Sequence, residues 1–136
     1  MIAFFDPSAL IYLIEAEEPF ASKLRGELAA AAARHPDLGS AVSRLTWLEC
    51  RVGPMKANDH ARLAAFDGFF AGPDLVWVEL TREVVELAAA IRAKHGLRTP
   101  DALQAASCLQ LAGDHLFLTG DAAFKRVAGL NVTALA

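Results

Sequence analysis

Short apolar runs alternate along this chain with longer amphipathic ones. "IAFF" at residues 2–5 is wholly apolar and ends at a turn signal, which predicts a buried strand. Ser8 to Glu17 then reads as a helix closed by Pro19, and residues 20–34 as a second, with Phe20, Leu24 and Leu28 at helical spacing. "RHPDLGS" (34–40) is a loop, and "SAVS" (40–43) a weak strand. The next helix runs through Leu45, Leu48 and Val52 and is expected to stop at Gly53-Pro54; another spans roughly 58–71. "PDLVWVEL" (73–80) predicts a third strand. Thr81 is placed to cap a helix in which Val84, Leu87, Ala88 and Ile91 share a face and which Gly96 ends. Thr99-Pro100 opens a further helix, "HLFLT" (115–119) a fourth strand, Asp121 to Val127 a short helix, and "LNVTAL" (130–135) a last strand.

Strands that alternate with helices imply right-handed crossovers and a mostly parallel sheet. The expected fold is therefore α/β, a three-layer α/β/α sandwich, with no linker to divide residues 1–136 into more than one domain. In such sheets, chemistry gathers where the strands end in the carboxyl direction.

Composition narrows the picture. The 136 residues are 54% hydrophobic, ample for a core, and carry a formal net charge of −3. That balance argues against a protein that grips nucleic acid mainly through a basic surface. It leaves room for a nuclease whose acidic pocket is screened by cations. Two isolated cysteines, Cys50 and Cys108, make no disulfide framework, so a reducing cytoplasm is the expected compartment. No run is long enough to span a membrane. Asp6 interrupts the first apolar stretch, which also lacks a basic flank, so no secretory leader is expected.

Asp6 follows the first strand and Asp121 the fourth; parallel strands would put both carboxylates on one sheet edge. Taken singly, each has a simple structural explanation. Asp6 before Pro7 resembles a helix cap, Asp121 another, and Asp101 suits the positive end of its helix. Glu49 is harder to explain away, because it falls within or beside the Leu45–Leu48–Val52 stripe, where an unpaired carboxylate is costly. A capping box, Thr46-x-x-Glu49, is one alternative, but Ser43 offers an earlier helix start. Asp101 heads a stripe of small residues, Ala105, Cys108 and Ala112, suited to close packing on the sheet. Four converging carboxylates without matching Lys or Arg would repel one another. Mg²⁺ or Mn²⁺ relieves that repulsion, and such ions serve phosphoryl transfer. The histidines at 35, 60, 95 and 115 have no paired ligand spacing, and there is no glycine-rich phosphate loop or serine elbow.

These segments resemble the PIN domain, in its VapC-type toxin form. "FFDPSALIYLIE" is similar to that family's first strand and first acid, and "VSRLTWLECRVGPMK" to its second strand and glutamate helix. "LRTPDALQAASCLQLAGDHLFLTGD" is similar to the segment holding its third and fourth acids. The resemblance implies a Mg²⁺- or Mn²⁺-dependent endoribonuclease that hydrolyses RNA with metal-activated water. It implies an acidic quartet of Asp6, Glu49, Asp101 and Asp121 as catalytic and metal-binding residues, Asp6 and Asp101 foremost, with Ser8 and Thr119 as supporting hydroxyls. It also implies a cognate VapB-type antitoxin and a homodimer. Pro7 stands where that family commonly has Ser or Thr, and Gly120 where it frequently has Asn. Since the site is acidic, RNA contacts would fall to Arg44, Arg51, Lys56, Arg98, Lys125 or Arg126, each of which alone also suits a solvated helix face.

Two other enzyme and signalling classes fit poorly. A haloacid-dehalogenase-type phosphatase would want an acid at Ser8 and another near Lys125. A phospho-receiver would want an Asp within "ELTR" (79–82). A catalytically inactive PIN-like interaction domain is the stronger rival, against which the complete quartet argues.

Overall fold

The computed structural model describes residues 1–136. Its strands are β1 (Ile2–Phe5), β2 (Gly39–Ser43), β3 (Val76–Val78), β4 (His115–Thr119) and β5 (Val132–Ala134). Its helices are α1 (Pro7–Ile14), α2 (Phe20–Arg34), α3 (Arg44–Lys56), α4 (His60–Phe70), α5 (Arg82–His95) and α6 (Thr99–Leu109). A 3₁₀ turn, Ala122–Arg126, joins β4 to β5.

All four strand pairings are parallel, in the order β3-β2-β1-β4-β5. The chain steps outward from β1 to β3, then returns to the other side of β1 to lay down β4 and β5. The order therefore reverses between β1 and β4, and at such a reversal the crossovers part and leave a crevice at the carboxyl edge.

Side chains of β1 alternate between two cores. Phe4 joins α5 and α6 residues such as Ile91, Ala102 and Ala105, and stacks on Phe117 across the β1–β4 pair with ring centroids 5.4 Å apart. Ala3 and Phe5 point the other way, to Leu10, Leu24, Cys50 and Phe66 of α1 to α4. These are the two helical layers of the expected α/β/α sandwich. Both cysteines are free and buried, as isolated cysteines in apolar helices should be.

The caps follow the sequence closely. Thr81 Oγ1 accepts from Val84 N, and Gly96 closes α5 in the left-handed region at φ +68°. Several boundaries differ. α1 begins at Pro7 and ends at Ile14, short of the expected Glu17. β3 and β5 have three residues each, because they are the edges of the sheet and pair on one side only.

α3 does not stop at Gly53-Pro54 but continues to Lys56. A proline disfavours helix in its predecessor mainly through contact with that residue's Cβ, and glycine has none. Pro54 still withholds one N–H from the helix and crowds the carbonyl four residues back, but its ring is buried on the inner face of α3.

The face of α3 is also not the one expected. Its buried residues are Thr46, Cys50 and Pro54, whereas Leu48 is 53% exposed and Val52 lies outside as well. With Trp47 and Met55 they leave an apolar surface on the outer side of the helix. Ala112 lies beyond the end of α6 and is exposed, so the small stripe on Asp101's helix ends at Cys108.

Candidate active site

The carboxyl ends of β1 and β4 meet at Asp6. Its backbone N–H donates to Leu118 O at 3.1 Å, continuing the sheet by one residue. Its φ and ψ are extended and Pro7 follows at the first helical position, so the chain turns sharply into α1. One carboxylate oxygen, Oδ1, accepts from Ala9 N at 2.9 Å and from Ser8 Oγ at 2.7 Å. The other, Oδ2, accepts from Thr119 Oγ1 at 2.5 Å. Asp6 does cap α1, but a cap alone needs only the first of these bonds.

Asp6 is 4% exposed and forms no ion pair. Burial raises its pKa, against the three hydrogen bonds that favour the charged form, and the Asp101 carboxylate raises it further.

Ser8 and Thr119 hold the corner from both sides. Ser8 Oγ accepts from Gly120 N at 2.9 Å, and Thr119 Oγ1 accepts from Asp121 N at 3.0 Å. Two hydroxyls thereby fix the Asp6 carboxylate and the backbone leading into Asp121. Asp121 itself is exposed and caps the 3₁₀ turn through Ala123 N at 2.8 Å.

Glu49 arrives from α3, which packs against both α1 and α6. Ser43 caps that helix by accepting from Leu45 N at 3.2 Å, so the start lies before Thr46 and the capping-box alternative falls. Half-buried Glu49 has a partner the sequence reading missed, Gln104 of α6. Gln104 is 1% exposed; its Nε2 donates to Thr46 Oγ1 at 3.0 Å and reaches Glu49 Oε1 at 3.5 Å. An uncharged polar residue in an apolar helical run was the available signal. Burial raises the pKa of Glu49, Gln104 opposes the rise, and the charges of Asp101 and Asp6 add to it.

Asp101 stands in the first turn of α6, with Arg98 Nε 3.8 Å from its Oδ2. Burial raises its pKa, Arg98 lowers it, and Asp121 raises it. The four acids are thus linked by mutual repulsion: Asp101 acts on Asp6 and Glu49, and Asp121 acts on Asp101. Arg98 is the one cation in an ion pair with any of them, and its side chain is largely in solvent.

The donor set is four carboxylates and two hydroxyls, all hard oxygens, in partly desolvated surroundings. That chemistry fits Mg²⁺ or Mn²⁺ and does not fit a softer ion. As the side chains stand, no three His, Cys, Asp or Glu groups converge tightly enough to hold an ion unaided.

Several of the cations considered for RNA contact are already engaged. Arg44 pairs with Glu79 at 2.7 Å and lies over Trp77; Arg51 pairs with Asp67 at 3.0 Å and lies over Trp47. Arg126 Nε donates to Ala123 O. Lys56 and Lys125 are exposed and in no ion pair. His115 sits in β4, its Nε2 accepting from Asn131 N at 3.0 Å, which ties β4 to the start of β5.

A parallel sheet in this order, with acids at the β1 and β4 ends, defines an α/β protein with a carboxylate site at its switch point. The PIN domain family model matches residues 3–130, and the chain belongs to that family. No curated protein sequence matches it. Solved structures with the same fold come from toxin–antitoxin complexes. A chain of VapBC2 from Rickettsia felis, bound to a DNA fragment from its promoter, matches with TM-score 0.76 and 17% identity over 100% of both chains. A chain of VapBC-1 from nontypeable Haemophilus influenzae matches with TM-score 0.70 and 19% identity, covering 99% of this chain and 98% of that one. A toxin–antitoxin complex from Klebsiella pneumoniae matches with TM-score 0.68 and 21% identity, covering 98% of each. No helix here is long and apolar enough to cross a membrane.

Proposed function

We propose that this chain is a VapC-type toxin, an endoribonuclease dependent on Mg²⁺ or Mn²⁺. The observation that carries the reading is the Asp6 carboxylate, buried without a cation and gripped by Ser8, Ala9 and Thr119 within the repulsive field of Asp101. A purely structural cap does not need that burial or those acidic neighbours.

In this reading Asp6 and Asp101 would hold the divalent ion, with Glu49 and Asp121 completing the acidic set. When bound, the ion supplies charge neutralisation at the scissile phosphate and lowers the pKa of water. Glu49, half-buried on α3 and held beside Gln104, would orient the attacking water. Asp121, exposed at the same corner, would face the incoming strand. Attack in line with the 3′ oxygen leaves a 5′-phosphate and a free 3′ hydroxyl. Nothing in that chemistry uses the 2′ hydroxyl, so preference for RNA rests on binding. Of the cations considered, Lys56 and Lys125 are exposed and outside any ion pair, and so are free to meet the phosphate backbone.

The apolar surface of Trp47, Leu48, Val52 and Met55 supports a macromolecular partner beside the glutamate helix. The family resemblance supplies two candidates, a VapB-type antitoxin and a second copy of the chain, in the cytoplasm.

Expression of the chain alone tests this reading. Growth arrest with RNA degradation, both abolished by Asp6→Asn, is the expected result. Arrest that persists in Asp6→Asn overturns it, and an inactive interaction domain would cause no RNA loss with either chain.

A further inference from the structure

Gly120 and Tyr12 fit together in a way that neither the fold nor the capping network requires. Tyr12 lies one turn beyond Ser8 on α1, so the two side chains share a face. Ser8 is locked onto the β4 corner through Gly120 N and Asp6. Tyr12 comes next over the same corner. A Cβ at residue 120 would collide with Tyr12 Oη, and would lie 3.0 Å from Cζ and 3.1 Å from Cε2. Gly120 is not in the left-handed region, unlike Gly96, Gly113 and Gly129. The glycine therefore provides space and not backbone freedom.

The ring of Tyr12 is held from its other side by Phe20, stacked with centroids 4.6 Å apart. Its hydroxyl has no hydrogen-bond partner in the protein and is not a buried orphan, so it opens to solvent. Burial, then the charges of Glu17 and Asp6, raise the phenol pKa, so the group remains a neutral donor. A fixed, unpartnered donor thus stands at the rim of a site whose two hydroxyl donors are already spent on Asp6.

We propose that Tyr12 is a substrate-contacting residue of the acidic site: its hydroxyl donates to a phosphate oxygen of the nucleic-acid strand beside the cleaved bond, in space that Gly120 leaves open. A polyanion entering a carboxylate site meets repulsion, and a neutral donor offers a phosphate contact without disturbing the acids. The inference rests on the nuclease reading.

The test measures kcat and KM on a fluorescent single-stranded RNA of mixed sequence with Mn²⁺. Tyr12→Phe keeps the ring and the stack, so it should melt like the parent chain and yet lose about tenfold in kcat/KM, the scale of a hydrogen bond to a charged group. Gly120→Ala should lose at least as much by displacing the phenol. In a Tyr12→Ala background, adding Gly120→Ala should cost nothing further. Tyr12→Phe within twofold of the parent overturns the inference, as does an equal Gly120→Ala loss in both backgrounds. If the parent chain shows no Asp6-dependent cleavage, the nuclease reading fails by itself. Anisotropy binding of the same RNA in chelator then decides the contact: weaker binding by Tyr12→Phe supports it, and equal affinity overturns it.

Discussion

Thr119 Oγ1 donates to Asp6 Oδ2 at 2.5 Å, joining residues 113 apart in sequence across the ends of two neighbouring parallel strands. The same hydroxyl accepts from Asp121 N, so one fully buried side chain fixes the first acid and sets where the fourth begins. Thr119→Val keeps the shape and removes the hydroxyl. It leaves a buried carboxylate oxygen and a backbone N–H unpaired, at a cost of about 1–3 kcal/mol each. Denaturant unfolding should show that loss, and cleavage should fall by at least tenfold. Unchanged stability would mean that solvent satisfies Asp6 as well as Thr119 does.

A second prediction concerns pH. The pKa values of Asp6, Glu49 and Asp101 are all raised in the folded chain. Each group binds its proton more tightly folded than unfolded. Its stabilising contribution is complete below the unfolded carboxylate range, about pH 4, and is lost as pH rises through the raised folded value. Asn at position 6 still accepts from Ala9 N but carries no charge. In chelator, Asp6→Asn should therefore melt above the parent chain at pH 8, with the gap closing toward pH 4. A gap independent of pH would contradict the burial of a charged Asp6.

Added Mn²⁺ should offset the same repulsion. A ligand that binds only the folded chain, at about a hundred times its Kd, stabilises by about 2.7 kcal/mol. The parent chain should gain several degrees in Tm at pH 7.5, and Asp6→Asn little. Equal gains in both would place the ion elsewhere.

Glu49 depends on Gln104, whose amide also bonds Thr46. Gln104→Leu should destabilise by about 1–3 kcal/mol, because it leaves the buried Thr46 hydroxyl unpaired. The double change Thr46→Val with Gln104→Leu should recover most of that stability, since no orphan remains. Cleavage should not recover, because Glu49 has still lost its anchor. Joint recovery of stability and activity would show that Gln104 serves only the fold.

The features legible in the sequence were those written in local pattern. "IAFF" was readable as a buried strand and "HLFLT" as a strand, Thr81 and Gly96 as caps, and the alternation of elements as a mostly parallel sheet. The positions of Asp6 and Asp121 at one edge followed from that alternation. The environment of Glu49 was not legible in the same way. The Leu45–Leu48–Val52 stripe suggested a buried face, but α3 turns Thr46, Cys50 and Pro54 inward and leaves Leu48 and Val52 outside. Periodicity finds an apolar face without saying whether the core or a partner covers it. Gln104 was missed because its partner Thr46 is 58 residues away, and no local signal joins them. Nothing in the local pattern singles out Tyr12; only its close approach to Gly120 marks it.

Asp6 is the residue on which metal-dependent cleavage rests. Purified parent chain and Asp6→Asn, mixed with RNA and Mn²⁺ and with chelator in parallel, test it most directly by the chemistry of the cut ends. Cleavage by the parent chain only, abolished by chelator and leaving 5′-phosphate and 3′-hydroxyl termini, is the expected result. Equal cleavage by Asp6→Asn, or cleavage that survives chelator and leaves 2′,3′-cyclic phosphates, would contradict it.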